Sequence, residues 1–207
     1  SILNHSTKKF NFHEKKPNSL VINFKEDKSN IFIKNLEIAS HVANDIFNDS
    51  NFPDLNGDLL INCLESFKMP PGRGEILSLN KFKIIDDSYN ANPESVKAAL
   101  DHLSGFQECR KFFVFGDMKE LGANEEILHK KVGQYAVGKT DILLTVGKLA
   151  KNAQSNSNNF ALSLHFNDNF SLLEKLNELL TDGDIVLIKG SRSMQLDQLI
   201  NELKNVK

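Results

Sequence analysis

Beyond about residue 82, short apolar runs alternate with longer stretches in which apolar residues recur every third or fourth position. Runs of strand length occur at Phe82–Ile85, Phe112–Phe115, Ile142–Val146, Phe160–Phe166 and Ile185–Ile188. Between them, Val96, Ala99, Leu100 and Leu103 follow the i, i+3, i+4, i+7 rule, as do Leu196, Leu199, Ile200 and Leu203. That spacing lines one face of a helix. Leu172, Leu173, Leu176, Leu179 and Leu180 make a third stripe, with Ser171 and Glu174 spaced as a capping box at its start. Several strand runs are apolar at consecutive positions, which calls for burial on both faces. Such strands alternating with helices predict an α/β domain: a Rossmann-like, mostly parallel sheet with helices on both faces.

The first part of the chain has a different texture. Residues 1–72 are rich in Asn and Lys, with one strand predicted at Ser19–Phe24 and helical patterns at Ile31–Phe47 and Gly57–Phe67. So few strands close no core, and the region reads as the tail of a preceding domain. Pro70-Pro71-Gly72 is a linker or sharp turn, placing the boundary between residues 1–72 and residues 73–207. The absence of an initiating Met predicts a processed chain or a piece of a longer one. The tract NAQSNSNN reads as a loop.

Composition narrows the class without supplying chemistry. A chain of 207 residues, 40% hydrophobic and 25% charged, has the balance of a globular protein with a sizeable core. Its formal charge of −2 gives no electrostatic reason to bind nucleic acid or an anionic membrane. Cys63 and Cys109 form no C-x-x-C pair, so a reducing cytoplasm is the expected setting. No apolar run approaches the roughly 18 residues of a membrane span.

One stretch matches a well-known motif letter for letter. GQYAVGKT, Gly133–Thr140, fits G-x-x-x-x-G-K-[ST], the loop whose backbone N–H groups cradle phosphates. That loop needs a strand before it and a helix after it. Here Ile127, Leu128, Val132, Tyr135 and Ala136 give the preceding segment helical spacing, and DILLTVG after it is a strand. The order is reversed, so the match is a coincidence. Gly138 is predicted as a helix C-cap, with Lys139 near the helix's negative end.

In an open parallel sheet, ligands collect at the carboxyl ends of the strands. The loops there are DDSYNANPES, GDMKELGANEE, GKLAKN and KGSRSMQ. In the first, the adjacent acids Asp86 and Asp87 need partners against repulsion and desolvation, or a ligand. A carboxylate at that place suits sugar hydroxyls or a metal-bound water. Asn92, just before Pro93, is equally a natural helix cap. Asp117 in the second loop stands between capping and function. In the fourth, Lys189 and Arg192 flank Gly190 and Ser191 ahead of the last helix, which suits a carboxylate or phosphate; a surface pair of cations is the competing explanation.

Four segments in order, PGRGE (Pro71–Glu75), IIDDSYNANPESVKAAL (Ile84–Leu100), FGDMKELG (Phe115–Gly122) and LIKGSRSMQLDQLI (Leu187–Ile200), resemble the Mur ligases, ATP-dependent amide ligases of bacterial cell-wall synthesis. The string DDSYNANP is similar to that of the member joining D-alanyl-D-alanine to a UDP-N-acetylmuramoyl tripeptide. The resemblance implies a C-terminal Rossmann-like ligase domain at 73–207, preceded by the tail of the central ATPase domain. It implies ATP and Mg2+ as cofactors, both held mainly by upstream parts of the family's chain, and a bacterial cytoplasm. Asn35, Arg73, Asp87, Asn90 and Asn92 fall on the nucleotide side. Asp117, Glu120, Lys189, Ser191 and Arg192 fall on the side of the incoming dipeptide. His129 matches a family position and reads as a packing or hydrogen-bonding residue; no catalytic residue or metal ligand is assigned. The chain is expected to be inactive without the rest of the ligase.

Two other readings stay open from the residues. One is a non-catalytic Rossmann-like module that binds a nucleotide or an amino acid. The other, a nicotinamide-dependent oxidoreductase, lacks a G-x-G-x-x-G after the first strand.

Overall fold

The structure, a computed structural model, describes residues 70–205 except Asn80, the strands Ser6–Phe10 and Leu20–Phe24, and helical positions at Asn35, Ile38, Ala39, Val42 and Ser66. The chain divides into two compact units, Ser1–Lys68 and Met69–Lys207. In the first, strands β1 (Ser6–Phe10) and β2 (Leu20–Phe24) pair antiparallel, Ser6 opposite Phe24. β2 lies inside the predicted strand, whereas β1 was not predicted. The described positions 35, 38, 39 and 42 are helical, as is Ser66. The remainder of the two predicted helices lies outside the described residues.

The second unit is built on a six-stranded sheet. Its strands are β3 (Glu75–Ser78), β4 (Lys83–Asp87), β5 (Lys111–Gly116), β6 (Ile142–Val146), β7 (Leu162–Phe166) and β8 (Ile185–Lys189). They lie in the order β3-β4-β8-β5-β6-β7. All neighbours are parallel except β3, which runs antiparallel to β4 at the edge. Four α-helices cover it: α1 (Pro93–Ser104), α2 (Glu125–Ala136), α3 (Asn169–Leu179) and α4 (Leu196–Asn205).

Strand periodicity divides the core into two layers. Ile85, Phe113, Phe115, Leu143 and Leu187 face one side, where Val96, Leu100 and Leu103 of α1 and Val132 and Ala136 of α2 meet them. Their neighbours Ile84, Phe112, Val114, Leu144, Val186 and Ile188 face the other side, against Leu172 and Leu176 of α3 and Leu199, Ile200 and Leu203 of α4. Handedness explains which helix goes where. The connections β4 to β5, β5 to β6 and β6 to β7 advance along the sheet in one direction, while β7 to β8 returns. A right-handed crossover in the opposite direction must pass over the opposite face. β8 lies in the gap between β4 and β5, and the strand order reverses there.

Three local features differ from the periodicity reading. The edge strand β3 is an addition, joined to β4 by a hairpin in which Leu79 N–H donates to the Phe82 carbonyl at 3.0 Å. The tract NAQSNSNN is not a loop but part of a 3₁₀ segment, Ala150–Asn159, with non-helical geometry at Asn156. Its composition is polar, yet Ala150 and Ala153 are fully buried and hold it on the sheet. Helix α3 is capped by Asp168, which accepts from Ser171 N–H at 2.8 Å, one turn earlier than the predicted box.

Candidate functional site

The phosphate-loop look-alike leads into the amino end of β6, away from the strands' carboxyl ends, and each of its signature residues has a structural task. Gly133 lies where α2 crosses the 3₁₀ segment; a Cβ there would come within 2.0 Å of the Ala153 carbonyl oxygen. Gly138 occupies the third position of a tight turn with φ +77°, a conformation natural to glycine. Lys139 pairs with Asp101 of α1 at 2.7 Å, and Thr140 Oγ1 donates to the Lys111 carbonyl at 2.7 Å. Helix, turn and strand follow in that order, with no N-terminal helix end for a phosphate to meet.

The crevice lies at the other end of the sheet, where β8 separates β4 from β5. The parallel register sets Asp87 at the end of β4 opposite Lys189 at the end of β8. Their side chains meet at 2.6 Å, and the same ammonium donates to the Asn90 carbonyl at 3.0 Å. Lys189 is only 2% exposed, so this lysine is a buried cation with two fixed acceptors rather than a free one. Burial is the largest influence on Asp87 and raises its pKa above 3.8, against the opposing pull of Lys189. A side chain 20% exposed keeps that carboxylate within reach of a ligand.

Adjacency of Asp86 and Asp87 is resolved by the strand's alternation, which sends successive side chains to opposite faces. Asp86 turns back on its own loop, accepting from Ser88 N–H at 3.2 Å and Ser88 Oγ at 2.7 Å. Asn92 is a full helix cap: its Oδ1 accepts from Ser95 N–H at 2.8 Å, and Ser95 Oγ accepts from Asn92 N–H at 3.1 Å. Asn90 uses its Oδ1 on the Ala91 amide.

On the same edge, Arg73 places its guanidinium 4.1 Å from the centre of the Tyr89 ring. Tyr89 is 44% exposed, so its ring face is open to a ligand. The sequence places Tyr89 in the functional-group-dense DDSYNANP loop but assigns it no role. Its signal was available: an aromatic in a polar strand-end loop beside an arginine-containing turn.

The loops after β5, β6 and β8 are tied together. Asp117, nearly fully buried, accepts from the amides of Leu149 and Ala150 at 2.9 and 2.8 Å, and its carbonyl accepts from Ser191 N–H at 2.9 Å. Lys119 faces its second oxygen at 3.2 Å. Ser191 is buried, its hydroxyl 3.1 Å from that of Ser193. Arg192 projects outward, 64% exposed, held at 3.0 Å by Asp197. Glu120 is exposed and in the left-handed region, φ +62°. The structure thus brings Arg73, Asp87, Asn90 and Lys189 to the β4 side of the crevice, and Asp117, Ser191 and Arg192 to the β5 and β8 side. Asn35 is an exposed helical residue of the first unit.

Among the described residues, no group of three or more His, Cys, Asp or Glu could hold a metal ion. The donor set does suit part of a nucleotide: a carboxylate for ribose hydroxyls beside a guanidinium stacked on a ring. No helix among the described residues is long and apolar enough to cross a membrane.

Residues 72–192 match the family model described as Mur ligase, glutamate ligase domain. A UDP-N-acetylmuramoyl-tripeptide–D-alanyl-D-alanine ligase of Rickettsia prowazekii is 31% identical over 169 residues, covering 79% of this chain and 37% of the relative. The protein of the same name from Bacillus subtilis is 35% identical over 149 residues, covering 68% and 32%. The chain therefore spans about a third of the length of these relatives. In fold, it resembles a MurF ligase from Thermotoga maritima solved with ADP, with a TM-score of 0.75 at 22% identity, covering 90% of this chain and 41% of that one. A MurF from Acinetobacter baumannii gives a TM-score of 0.79 at 23% identity, covering 97% and 43%.

Proposed function

Since the chain belongs to the Mur ligase family through its glutamate ligase domain, we propose that it is the C-terminal part of an ADP-forming amide ligase. The ligase joins D-alanyl-D-alanine to UDP-N-acetylmuramoyl tripeptide for peptidoglycan, in the cytoplasm of a bacterium. Residues 73–207 form its C-terminal domain, and residues 1–72 are the tail of its central ATP-binding domain. The relatives' names support the substrates, and one observation carries the reading at the level of residues: the polar motifs of the second unit converge at the carboxyl ends of the parallel strands, at the point where the strand order reverses.

In this reading the β4 side serves the nucleotide. Asp87 accepts from ribose hydroxyls, Arg73 on Tyr89 presents a cation and a ring face, and Lys189 fixes Asp87 and the Asn90 backbone. Lys189 thus moves from the dipeptide side to the nucleotide side, because its ammonium is already enclosed there. Asn92 contributes through its cap, and Asn35 belongs to the nucleotide side of the first unit. The β5 and β8 side serves the dipeptide: Arg192 offers a cation for its carboxylate, while Glu120 and Ser191 offer acceptors near its amine. Asp117 sets the backbone of that side. Bound ATP would supply the phosphoryl group that turns a carboxylate into an acyl donor. The chain's contribution is orientation and exclusion of water. Mg2+ and ATP are assigned mainly to upstream parts of the ligase, as the family resemblance implies; among the described residues no group could hold a metal ion.

The test is phosphate release from ATP by the longest protein containing this chain, with UDP-N-acetylmuramoyl tripeptide, with and without D-alanyl-D-alanine. Release that requires both substrates, and is absent from the 207-residue chain, is the expected result. A longer protein that binds nucleotide yet releases nothing would leave the binding-module reading in its place.

A further inference from the structure

We infer that His129 is a positioning residue, a neutral imidazole whose Nε2 lone pair holds the Asp117–Met118 loop and, through it, the loops after β6 and β8. The mechanism above does not use it.

His129 lies in α2, fully buried, its ring 5.6 Å from that of Phe115. Its Nδ1 is 2.6 Å from the Glu125 carbonyl, which can only accept, so Nδ1 carries the proton. Its Nε2 is 2.9 Å from the Met118 amide, which can only donate, so Nε2 is unprotonated. Both contacts together admit one state, the neutral Nδ1–H tautomer. A protonated ring would direct a second N–H at the Met118 amide and lose that hydrogen bond.

Met118 is next to the residue that ties three loops. Asp117 takes Leu149 and Ala150 on its carboxylate and Ser191 on its carbonyl. The peptide joining Asp117 to Met118 therefore has its position set from both sides. His129 fixes one end, and the amides of the β6 and β8 loops are fixed by the other. Arg192, next to Ser191, inherits that register. The charged groups acting on the ring are Asp117, Glu125 and Lys119; the first two favour the imidazolium and Lys119 opposes it. Burial outweighs them and keeps the ring neutral.

Protonation of His129 accordingly frees Met118 and loosens Ser191, two loops away. The assignment of the β8 loop to a dipeptide rests on the proposed function, but the link itself does not, and it is tested on this chain with no substrate present. Backbone amide shifts of Met118, Leu149, Ala150 and Ser191, followed by NMR as pH falls, should share one midpoint with the His129 ring. In His129→Gln, whose amide oxygen supplies an acceptor that cannot be protonated in this range, the four amides should lose that titration and stay protected from exchange. In His129→Phe, Met118 exchange should speed by on the order of tenfold, the worth of one hydrogen bond of about 1.4 kcal/mol. The inference is overturned if the four amides titrate with unrelated midpoints, or if they still titrate together in His129→Gln. Unchanged Met118 exchange in a folded His129→Phe would overturn it too.

Discussion

Lys189 and Asp87 are 102 residues apart in sequence, directly opposite in register, and joined at 2.6 Å across the seam where β8 meets β4. One partner is almost fully buried and the other a fifth exposed. Removing one charge from such a pair strands the other in a medium of low polarity. Asp87→Asn should therefore destabilise the chain by about 3 kcal/mol in urea unfolding, since Lys189 cannot reach water. Lys189→Met should cost less, because Asp87 can take up a proton or a water. The double variant should recover most of the loss, and additive losses would show that the two charges are not coupled.

Asn92 separates a cap from a ligand. Asn92→Ala should lower stability by about 1 kcal/mol, and Asn92→Ser should restore it, because either side chain can accept from the amide at position 95. If capping is its whole role, activity of the longer ligase follows stability across the pair. An Asn92→Ser enzyme that is stable but slow would assign the amide a contact with substrate.

The look-alike loop should fail as a nucleotide site and matter as packing. Lys139→Ala should leave nucleotide affinity unchanged and cost only ~0.5 kcal/mol, since its pair with the half-exposed Asp101 lies at the surface. Gly133→Ala should cost about 3 kcal/mol, because the new Cβ meets backbone rather than a side chain that can swing aside. A large loss of nucleotide affinity in folded Lys139→Ala would reinstate the motif.

Among the described residues, two imidazoles contribute to the acid side of stability. Burial holds His129 below 6.5, and burial with Lys151 nearby does the same for His165. In the unfolded chain both titrate near 6.5, so below that value the unfolded state binds more protons. Stability is thus fully present above about 6.5 and is lost as pH falls through the folded values. Urea titrations from about pH 7.5 to about pH 5 should show this decline, with a shallower slope in His129→Gln. An equally steep slope in that variant would exclude His129 as a source.

Hydrophobic spacing was enough to read the sheet and its two helix layers, because consecutive buried positions such as Ile84-Ile85 and Phe112–Phe115 call for cover on both faces and alternate with helical stripes that supply it. It was not enough for β3, a four-residue edge strand whose Ile76 and Leu77 are only partly buried, one against each core layer, and which pairs with β4. The 3₁₀ segment hid for a different reason: its buried apolar anchors are Ala150 and Ala153, which carry little periodic signal, and its other ties include the hydrogen bonds of Gln154 to Thr145, Leu164 and Ser163. At the crevice, strand-end position made Asp87, Lys189 and Asp117 legible as a group. Who pairs with whom was not, since Asp87–Lys189 depends on β8 lying beside β4. The stacking of Arg73 on Tyr89 likewise joins two loops that only the hairpin of β3 and β4 brings together.

The central strand is also the last to be synthesised. Until Ile185–Lys189 leaves the ribosome, β4 with β3 and β5 with β6 and β7 are two separate sheets whose facing edges have no partner. At about 5–20 residues per second, the interval between Asp87 and Lys189 is on the order of 5–20 s. Over that time the apolar strands Ile84–Ile85 and Phe112–Phe115 await their common neighbour, open to other nascent chains. A chain stopped before residue 185 would not be a shorter domain but two unfinished ones, a natural client for chaperones and proteases.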